Sequence, residues 1–475
     1  MMNLKQLMIA AVLLLIAGPL QAAPMNVIII LTDDQGYEDL GCFGSTRIKT
    51  PNIDQMAAEG IKLTSFYTAA SVCSPSRAAL LTGRMPKRAG VPAVLFPYSQ
   101  TGLPEDEITI AELLKTKDYA TGIVGKWHLG HLPKYLPINQ GFDSYFGLPY
   151  SNDMSIAKEL AIASEPKLHR GWTMDQLNAD VVQYQHDYKS MKNVMPLMRG
   201  QEVIEYPVDQ SQLTKRYTEE AVQFIHQNRD HPFFLYLPHS MPHNPIHVSE
   251  AFDGVSGSGR YCDSIEEIDW SVGEIRKAVS KAGLDQHTFI VYCSDNGPAN
   301  RRKSLRGSSA GPLRGFKFDT FEGGQRVPAV LWAPSVIPPG SVSNEILSTL
   351  DLLPTIAHYV DVAMPRDRVF DGYDISDVLE GKSKKSPRHE MYFYKANSEM
   401  IDGIRAGDWK YLKEGDRRPL KPTADQSANQ PTRTKEPMLF HLNQDLGERT
   451  NLHRKYPEKV EELKRKMKAF DATIQ

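Results

Sequence analysis

The sequence predicts an α/β protein: a doubly wound, mostly parallel sheet flanked by helices, followed by a smaller antiparallel sheet with a closing helix. Three observations lead there. Uninterrupted apolar runs rich in β-branched residues recur along the chain, as expected of parallel strands buried on both faces. They alternate with segments of helical periodicity, the pattern of a doubly wound domain. After about Asp351-Leu352-Leu353-Pro354-Thr355 the pattern changes to short strand-like pieces and one charged amphipathic helix. The chain has 475 residues, 41% hydrophobic and 24% charged, enough for one large core plus a smaller unit. The expected division is a signal segment over 1–23, a main α/β domain over 24–370 and a C-terminal α+β subdomain over 371–475.

Met1 to Ala23 reads as a secretory signal. Lys5 supplies the positive start, Leu7 to Ile16 is an apolar run too short to span a bilayer, and Gly18 to Ala23 ends in small residues suited to cleavage. A membrane anchor is the alternative. Periplasm or secretion is the expected location, with no membrane span. Lys+Arg 55 against Asp+Glu 57 gives a net charge of -2, so nothing global points to nucleic acid or an anionic membrane. The four cysteines, Cys42, Cys73, Cys262 and Cys293, are no disulfide framework for a chain this long.

Asn26 to Thr32 is the first buried strand, and it ends in Asp33-Asp34. Ligands in open α/β sheets sit beyond the carboxyl ends of strands. The pair is therefore either a metal-site candidate or a solvated turn. The arrangement recurs: Ala120 to Gly125 is followed by Lys126-Trp127-His128, Pro232 to Leu237 by His239 and His243, and Thr288 to Ser294 by Asp295-Asn296. Four apolar strands each ending in groups able to bind a metal or an anion are much less expected by chance than one. Helices are expected over Asn52–Glu59, Thr109–Thr116, Leu213–Gln227 and Cys262–Ala282. Ser155 to Gln212 lacks strand-like runs and carries Lys167, His169, Arg170, Trp172, Lys189, Lys192 and Arg199. It reads as an insertion, either part of a substrate wall or a surface excursion. Short strands are expected at Met391–Tyr394, Gly403–Ala406, Trp409–Leu412 and Met438–His441, with a helix over Tyr456–Phe470.

The stretch Ser71 to Thr82, closed by Gly83, reads as the start of a helix. Ser74 suits the N-cap, Pro75 the first helical position and Gly83 the C′ position. That puts Cys73 just before a helix N-terminus, where backbone N–H groups favour an anion. Taken alone, a cysteine in such a short Ala-flanked segment is more often a packed thiol.

The same stretch, Cys73-Ser74-Pro75-Ser76-Arg77 followed by Thr82-Gly83, resembles the signature of the sulfatase family, Cys-x-Pro-x-Arg with Thr-Gly, without gaps. Leu313-Arg314-Gly315-Phe316-Lys317 with Glu322 to Pro328, and Leu439 to Leu452, resemble further family segments. Phe316 stands where the family usually has a second glycine. The resemblance implies an alkaline-phosphatase-like fold and oxidation of Cys73 to formylglycine by a formylglycine-generating or sulfatase-maturing enzyme. It implies one Ca²⁺ on Asp33, Asp34, Asp295, Asn296 and residue 73. Those oxygen ligands by themselves favour a hard cation, Ca²⁺ or Mg²⁺. By the same resemblance modified Cys73 attacks sulfur and becomes a transient sulfate ester, Arg77 and Lys126 hold the hydrate, and His128 takes the proton that expels sulfate. Lys317 and His243 bind sulfate oxygens, His243 is the candidate acid for the departing alcohol, and Ser151 contributes a sulfate-facing hydroxyl. His239, His243 and His247 compete for one role, with His239 the fallback.

The expected activity is removal of sulfate from a sulfated oligo- or polysaccharide. The basic residues of the insertion, with Arg301, Arg302 and Arg306, suggest a polyanion; a marine galactan such as carrageenan comes first and a glycosaminoglycan next. A phosphonate or phosphate ester hydrolase with the same nucleophile is the close alternative, and a binding protein without turnover the distant one.

Overall fold

The computed structural model describes residues 24–169, 171–183, 193–299, 307–415 and 435–474. The expected signal segment 1–23, Arg170, Lys189, Lys192, Arg301, Arg302 and Arg306 lie outside the described residues.

Sixteen strands are described. The main sheet takes β1 (Asn26–Thr32), β2 (Ile61–Tyr67), β3 (Ala120–Val124), β4 (Ser144–Gly147), β5 (Ala161–Leu168), β6 (Leu197–Arg199), β7 (Glu202–Tyr206), β8 (Phe233–Pro238), β9 (Thr288–Ser294), β10 (Arg326–Trp332), β11 (Ser341–Ser343) and β12 (Leu347–Ser348). Its order is β11-β2-β10-β9-β1-β8-β3-β4-β6-β7-β5, with β12 also on β2. The sheet is mixed and mostly parallel; β10 runs antiparallel to both β2 and β9. Helices flank it, the longest being Leu213–Gln227 and Arg260–Lys281.

The centre of this sheet positions the site. β9, β1, β8 and β3 are consecutive parallel neighbours, so the four apolar runs carry their polar tips to one edge. Register makes the tips level: Leu31 lies opposite both Pro238 and Cys293, and Thr32 opposite Ser294. The ladder continues one residue past the strands. Asp295 N–H donates to the Thr32 carbonyl at 3.0 Å, His239 N–H to Leu31 at 2.8 Å and Lys126 N–H to Pro238 at 2.7 Å. All side chains of β1, β8 and β9 are buried, which explains why these strands read as continuous apolar runs.

Three features depart from the sequence expectation. The 155–212 insertion does contain strands: β5, β6 and β7 extend the far edge of the main sheet. They escape pattern reading because β5 is a mostly exposed edge strand (Ala-Ile-Ala-Ser-Glu-Pro-Lys-Leu) and β6 spans only three residues. β2, Ile-Lys-Leu-Thr-Ser-Phe-Tyr, was also not expected as a strand; its burial alternates at the start, and the signal is short. The helix after Ser71 begins at Cys73, two residues earlier than Ser74 as N-cap and Pro75 as first helical position would place it. Val72, extended at φ -150°, is its N-cap. Ser74 is drawn elsewhere, its hydroxyl accepting from Leu95 N–H at 3.1 Å. Gly83 closes the helix at φ 64°, a left-handed conformation that glycine takes without a Cβ penalty.

The small sheet is antiparallel in the order β13-β14-β15-β16: Glu390–Tyr394, Ile401–Ala406, Trp409–Leu412 and Met438–His441. The Pro457–Asp471 helix packs on it through Val460, Leu463 and Met467. A buried charge network joins the two sheets. Glu322, with no exposed side chain, pairs with Lys410 at 2.9 Å and Arg326 at 3.2 Å, and accepts from the Tyr67 hydroxyl. Lys410 reaches Glu448 at 3.1 Å, and Glu448 accepts from Glu322 N–H at 2.7 Å. Burial alone would push the Glu322 carboxyl up, but Lys410, Arg405 and Arg326 bring it down.

Candidate active site

Ionisable and polar groups from four strand tips, the Cys73 helix and the loops that carry Ser151 and Lys317 meet at this edge. Cys73, 3% exposed, is the first residue of its helix, so backbone N–H groups of the first turn have no partner within the helix. Arg77 lies one turn on and is fully buried. Its Nε and Nη2 donate to Asp295 Oδ2 at 3.0 and 2.8 Å, its Nη2 to Asp33 Oδ2 at 3.2 Å, and its Nη1 to the Lys126 carbonyl at 2.8 Å. The guanidinium fork therefore locks three strand tips to the Cys73 helix. Lys126 Nζ pairs with Asp33 and lies 3.2 Å from Ser151 Oγ. Lys317 Nζ pairs with Asp34 at 2.7 Å. The Phe316 departure does not displace Lys317, whose N–H donates to the Pro298 carbonyl at 3.0 Å.

Electrostatics follow from this packing. Burial would push Asp33 up, yet Lys126, His243, Arg77 and Lys317 hold it far below the usual carboxylate range. Asp295 is raised to about 6, by burial first and then by the charge of Asp33. Burial raises the Cys73 thiol, although Lys126 and Lys317 work against it. As a thiol, residue 73 is therefore not poised as a thiolate nucleophile.

Whether these residues fit a cation is answered by their lone pairs. Asn296 Nδ2 donates to Asp34 Oδ1 at 2.7 Å and to the Gly297 carbonyl at 2.9 Å, which leaves Asn296 Oδ1 buried with no hydrogen-bond partner. Asp33 Oδ1 is buried without a partner as well. Such orphans are costly in a folded interior. Two unsatisfied oxygen acceptors beside Asp34 and Asp295 form an all-oxygen set that suits a hard cation. Oxygen or nitrogen atoms of Asp33, Asp34 and His243 also lie within 4.8 Å of one another.

The two site histidines are held in defined tautomers. His128, at φ 60°, has Nε2 2.9 Å from the Leu95 carbonyl, which can only accept, so Nε2 carries the proton. Nδ1 is left as a buried, unpartnered lone pair. Burial, then Lys126 and Arg77, push His128 well below the ordinary histidine value, so it is neutral and can take a proton. His243 has Nδ1 2.9 Å from Asn152 Oδ1, with Nε2 3.7 Å from Asp34 Oδ2. Burial and Lys317 lower its pKa. Asn152 is itself oriented: its Nδ2 donates to the Pro245 carbonyl at 2.8 Å and to Gln210 Oε1 at 3.2 Å.

Of the residues expected from sequence, Cys73, Arg77, Lys126, His128, Ser151, His243, Lys317, Asp33, Asp34, Asp295 and Asn296 are brought together. His239 is placed differently. It is fully buried, its Nε2 is 3.4 Å from Ser271 Oγ, and its ring packs against Tyr217. Sequence reading missed Asn152 and Gln210, which support His243 from residues 91 and 33 positions away along the chain and carry no periodic signal. It also missed the Leu95 carbonyl, which as backbone has no side-chain signature.

A buried cysteine opening a helix, flanked by cations and an oxygen set suited to a hard cation beyond parallel strand ends, is an arrangement fit to receive an anionic ester. The sulfatase family model matches residues 25–362, and that for the C-terminal region of aryl-sulfatase matches residues 386–475. The chain is 38% identical over 453 residues to arylsulfatase A of Homo sapiens, covering 93% of this chain and 85% of that protein. It is 36% identical to N-acetylgalactosamine-6-sulfatase of Sus scrofa, covering 90% and 81%. Among solved structures, Ps i-CgsB in complex with k-i-k-neocarrahexaose superposes with a TM-score of 0.77 at 28% identity, covering 95% of this chain and 94% of that one. The chain belongs to the sulfatase family and is a sulfuric ester hydrolase.

Proposed function

We propose that this sulfatase removes sulfate from a sulfated carbohydrate, with Cys73 matured to formylglycine and one Ca²⁺ held by Asp33, Asp34, Asp295 and Asn296. The observation that carries the reading is the set of groups around residue 73: Lys126, Lys317, Asp33 and Asp295 all act on it, and Asp33 and Asn296 each keep an orphaned buried oxygen. Mg²⁺ is the alternative ion. A divalent ion there would stabilise charge on the ester and favour ionisation of the attacking hydroxyl. The hydrated aldehyde would supply that hydroxyl and a second one through which sulfate is released.

The chain's own residues then divide the work. Lys317, Ser151 and His243 orient the sulfate oxygens, and Lys126 adds positive charge beside them. His128 holds a free Nδ1 lone pair and accepts a proton on it, its tautomer fixed by Leu95. His243 is the acid for the departing sugar oxygen in its doubly protonated form: Nε2–H passes its proton to that oxygen and leaves the neutral Nδ1–H tautomer, which Asn152 Oδ1 holds. Secretion, with Met1 to Ala23 as the signal, agrees with a polymeric substrate met outside the cytoplasm.

A carbohydrate substrate is supported by the relatives. One acts by its name on N-acetylgalactosamine-6-sulfate, and a structural neighbour was solved with a carrageenan-type hexasaccharide. A sulfated galactan comes first and a glycosaminoglycan second. The test is sulfate release from a panel of sulfated oligosaccharides, an aryl sulfate and an aryl phosphonate, using protein made with a sulfatase-maturing enzyme. Mass spectrometry of the peptide containing residue 73 is read alongside. An unmodified thiol in an active preparation refutes the nucleophile. Faster cleavage of the phosphonate refutes the sulfate preference.

A further inference from the structure

We propose that the cavity walled by Trp270 and Phe252 is a remote saccharide subsite, which holds a pyranose ring of the same substrate chain whose sulfate lies in the active site. The inference rests on the carbohydrate reading above and adds a place for a sugar unit that carries no reacting group.

The cavity has a volume of about 550 Å³, within the roughly 300–1,000 Å³ typical of small-molecule sites. Trp270 belongs to the Arg260–Lys281 helix, whose buried stripe runs through Ile265, Ile268, Val272 and Ile275. Trp270 is two residues from Ile268 and from Val272, and residues two apart on a helix do not share a face. Its indole therefore stands off the stripe, half-buried, and lines the cavity instead. The Phe252 ring lies 6.0 Å from it at 48°, so the two form adjoining walls rather than a stack. An indole presents a flat apolar face and one N–H, which complement the C–H face and the hydroxyl edge of a sugar ring.

The rim is polar without being an anion trap. Gln212, Lys215, Ser249 and Glu250 line it. Lys215 lies 3.9 Å from Glu219, and Glu250 adds a second carboxylate, so no positive charge is left over for another sulfate. The chemistry selects a ring presenting hydroxyls, in contrast to the Lys126 and Lys317 pocket.

The cavity is preformed and tied to the catalytic residues from two sides. Ser249 N–H donates to the buried Glu267 carboxylate at 3.1 Å, and the Ser249 carbonyl accepts from Phe252 N–H at 2.9 Å. The buried Asp263 carboxylate accepts from Gly254 N–H at 3.1 Å and Ser256 N–H at 2.8 Å, pinning the turn to the Trp270 helix. On one side Gln212 is two residues from Gln210, whose Nε2 donates to the Asn152 carbonyl at 3.0 Å beside His243. On the other, Ser249 is six residues from His243, a span of at most about 20 Å. A short oligosaccharide bridges that distance.

The experiment compares wild type, Trp270→Ala, Trp270→Phe and Lys215→Ala on a sulfated hexasaccharide, a sulfated monosaccharide and an aryl sulfate. On the hexasaccharide, Trp270→Ala is expected to raise KM about tenfold with kcat changed less than about twofold, Trp270→Phe to recover most of the loss, and Lys215→Ala to raise KM about threefold. The two small substrates do not reach the cavity, so their KM is expected to be the same in all four proteins. Lys215 is 52% exposed, so Lys215→Ala decides the matter if Trp270→Ala does not fold. An unchanged hexasaccharide KM in either alanine variant overturns the proposal. So does an equal loss on the aryl sulfate, which would place the effect in the active site. Failure of the carbohydrate reading looks different: wild type would then cleave the aryl sulfate and neither saccharide.

Discussion

Replacing Asp39 by Asn separates the cost of a buried charge from the worth of its hydrogen bonds. Asp39 is 1% exposed; its Oδ2 accepts from Gly36 N–H at 2.8 Å and from the Tyr261 hydroxyl, and its Oδ1 from Ser309 N–H at 2.8 Å. It thereby fixes the turn that follows Asp33-Asp34. Burial raises its carboxyl to about 7, the Tyr261, Gly36 and Ser309 bonds only partly opposing it. The sign is set by that rise. The native state binds the proton more tightly than the unfolded chain, whose carboxyl titrates near 3.9, so stability is greatest at acid pH and falls as pH climbs from about 4 to about 7. Between pH 5 and pH 8 the loss from this one group is about 2–3 kcal/mol, at 1.36 kcal/mol per pKa unit. Asp39→Asn cannot titrate, and its amide turns N–H groups toward an N–H donor, costing ~1–3 kcal/mol at pH 5. Equilibrium urea unfolding of both proteins at pH 5 and pH 8 checks this. The difference between variant and wild type is expected to shift in the variant's favour by about 2–3 kcal/mol at pH 8. The same difference at both pH values would refute the reasoning, because no other group distinguishes the two proteins.

Asn152→Ala removes the acceptor of His243 Nδ1–H and is expected to lower kcat/KM on a sulfated saccharide about tenfold, while Asn152→Asp, which keeps an acceptor, retains most activity; steady-state kinetics check both. Glu322→Gln removes one of the two carboxylates on Lys410 and the one paired with Arg326, and is expected to cost ~3–5 kcal/mol, read by chemical denaturation. Exhaustive chelation is expected to lower the Tm, and Ca²⁺ to restore it, since an ion bound only by the native state stabilises it by mass action; scanning calorimetry reads the shift, and an unchanged Tm would leave the orphaned oxygens of Asp33 and Asn296 unexplained.

The central sheet was legible because its strands are buried on both faces, and burial writes itself as the unbroken runs around Val27–Leu31, Phe233–Leu237 and Phe289–Cys293. Their adjacency was not written in any one of them, but the recurrence of polar tips anticipated a shared edge. β5 was illegible for the converse reason: an exposed edge strand has no core to declare. The start of the Cys73 helix was misread because cap chemistry is local and Ser74 answers instead to Leu95, 21 positions on. Asn152 and Gln210 act through long-range contacts with a histidine, which no spacing rule records.

Three carboxylates, Asp33, Asp34 and Asp295, face three cations, Arg77, Lys126 and Lys317, among the described residues of the site. The formal charges of these six groups cancel. A divalent ion held as proposed would tip the balance to a surplus of two positive charges. A sulfate monoester, with one negative charge, would offset half of that surplus, and the liberated dianion all of it. On the proposed reading the site would therefore grip the product harder than the ester, and departure of sulfate would be the slow exit from the cycle.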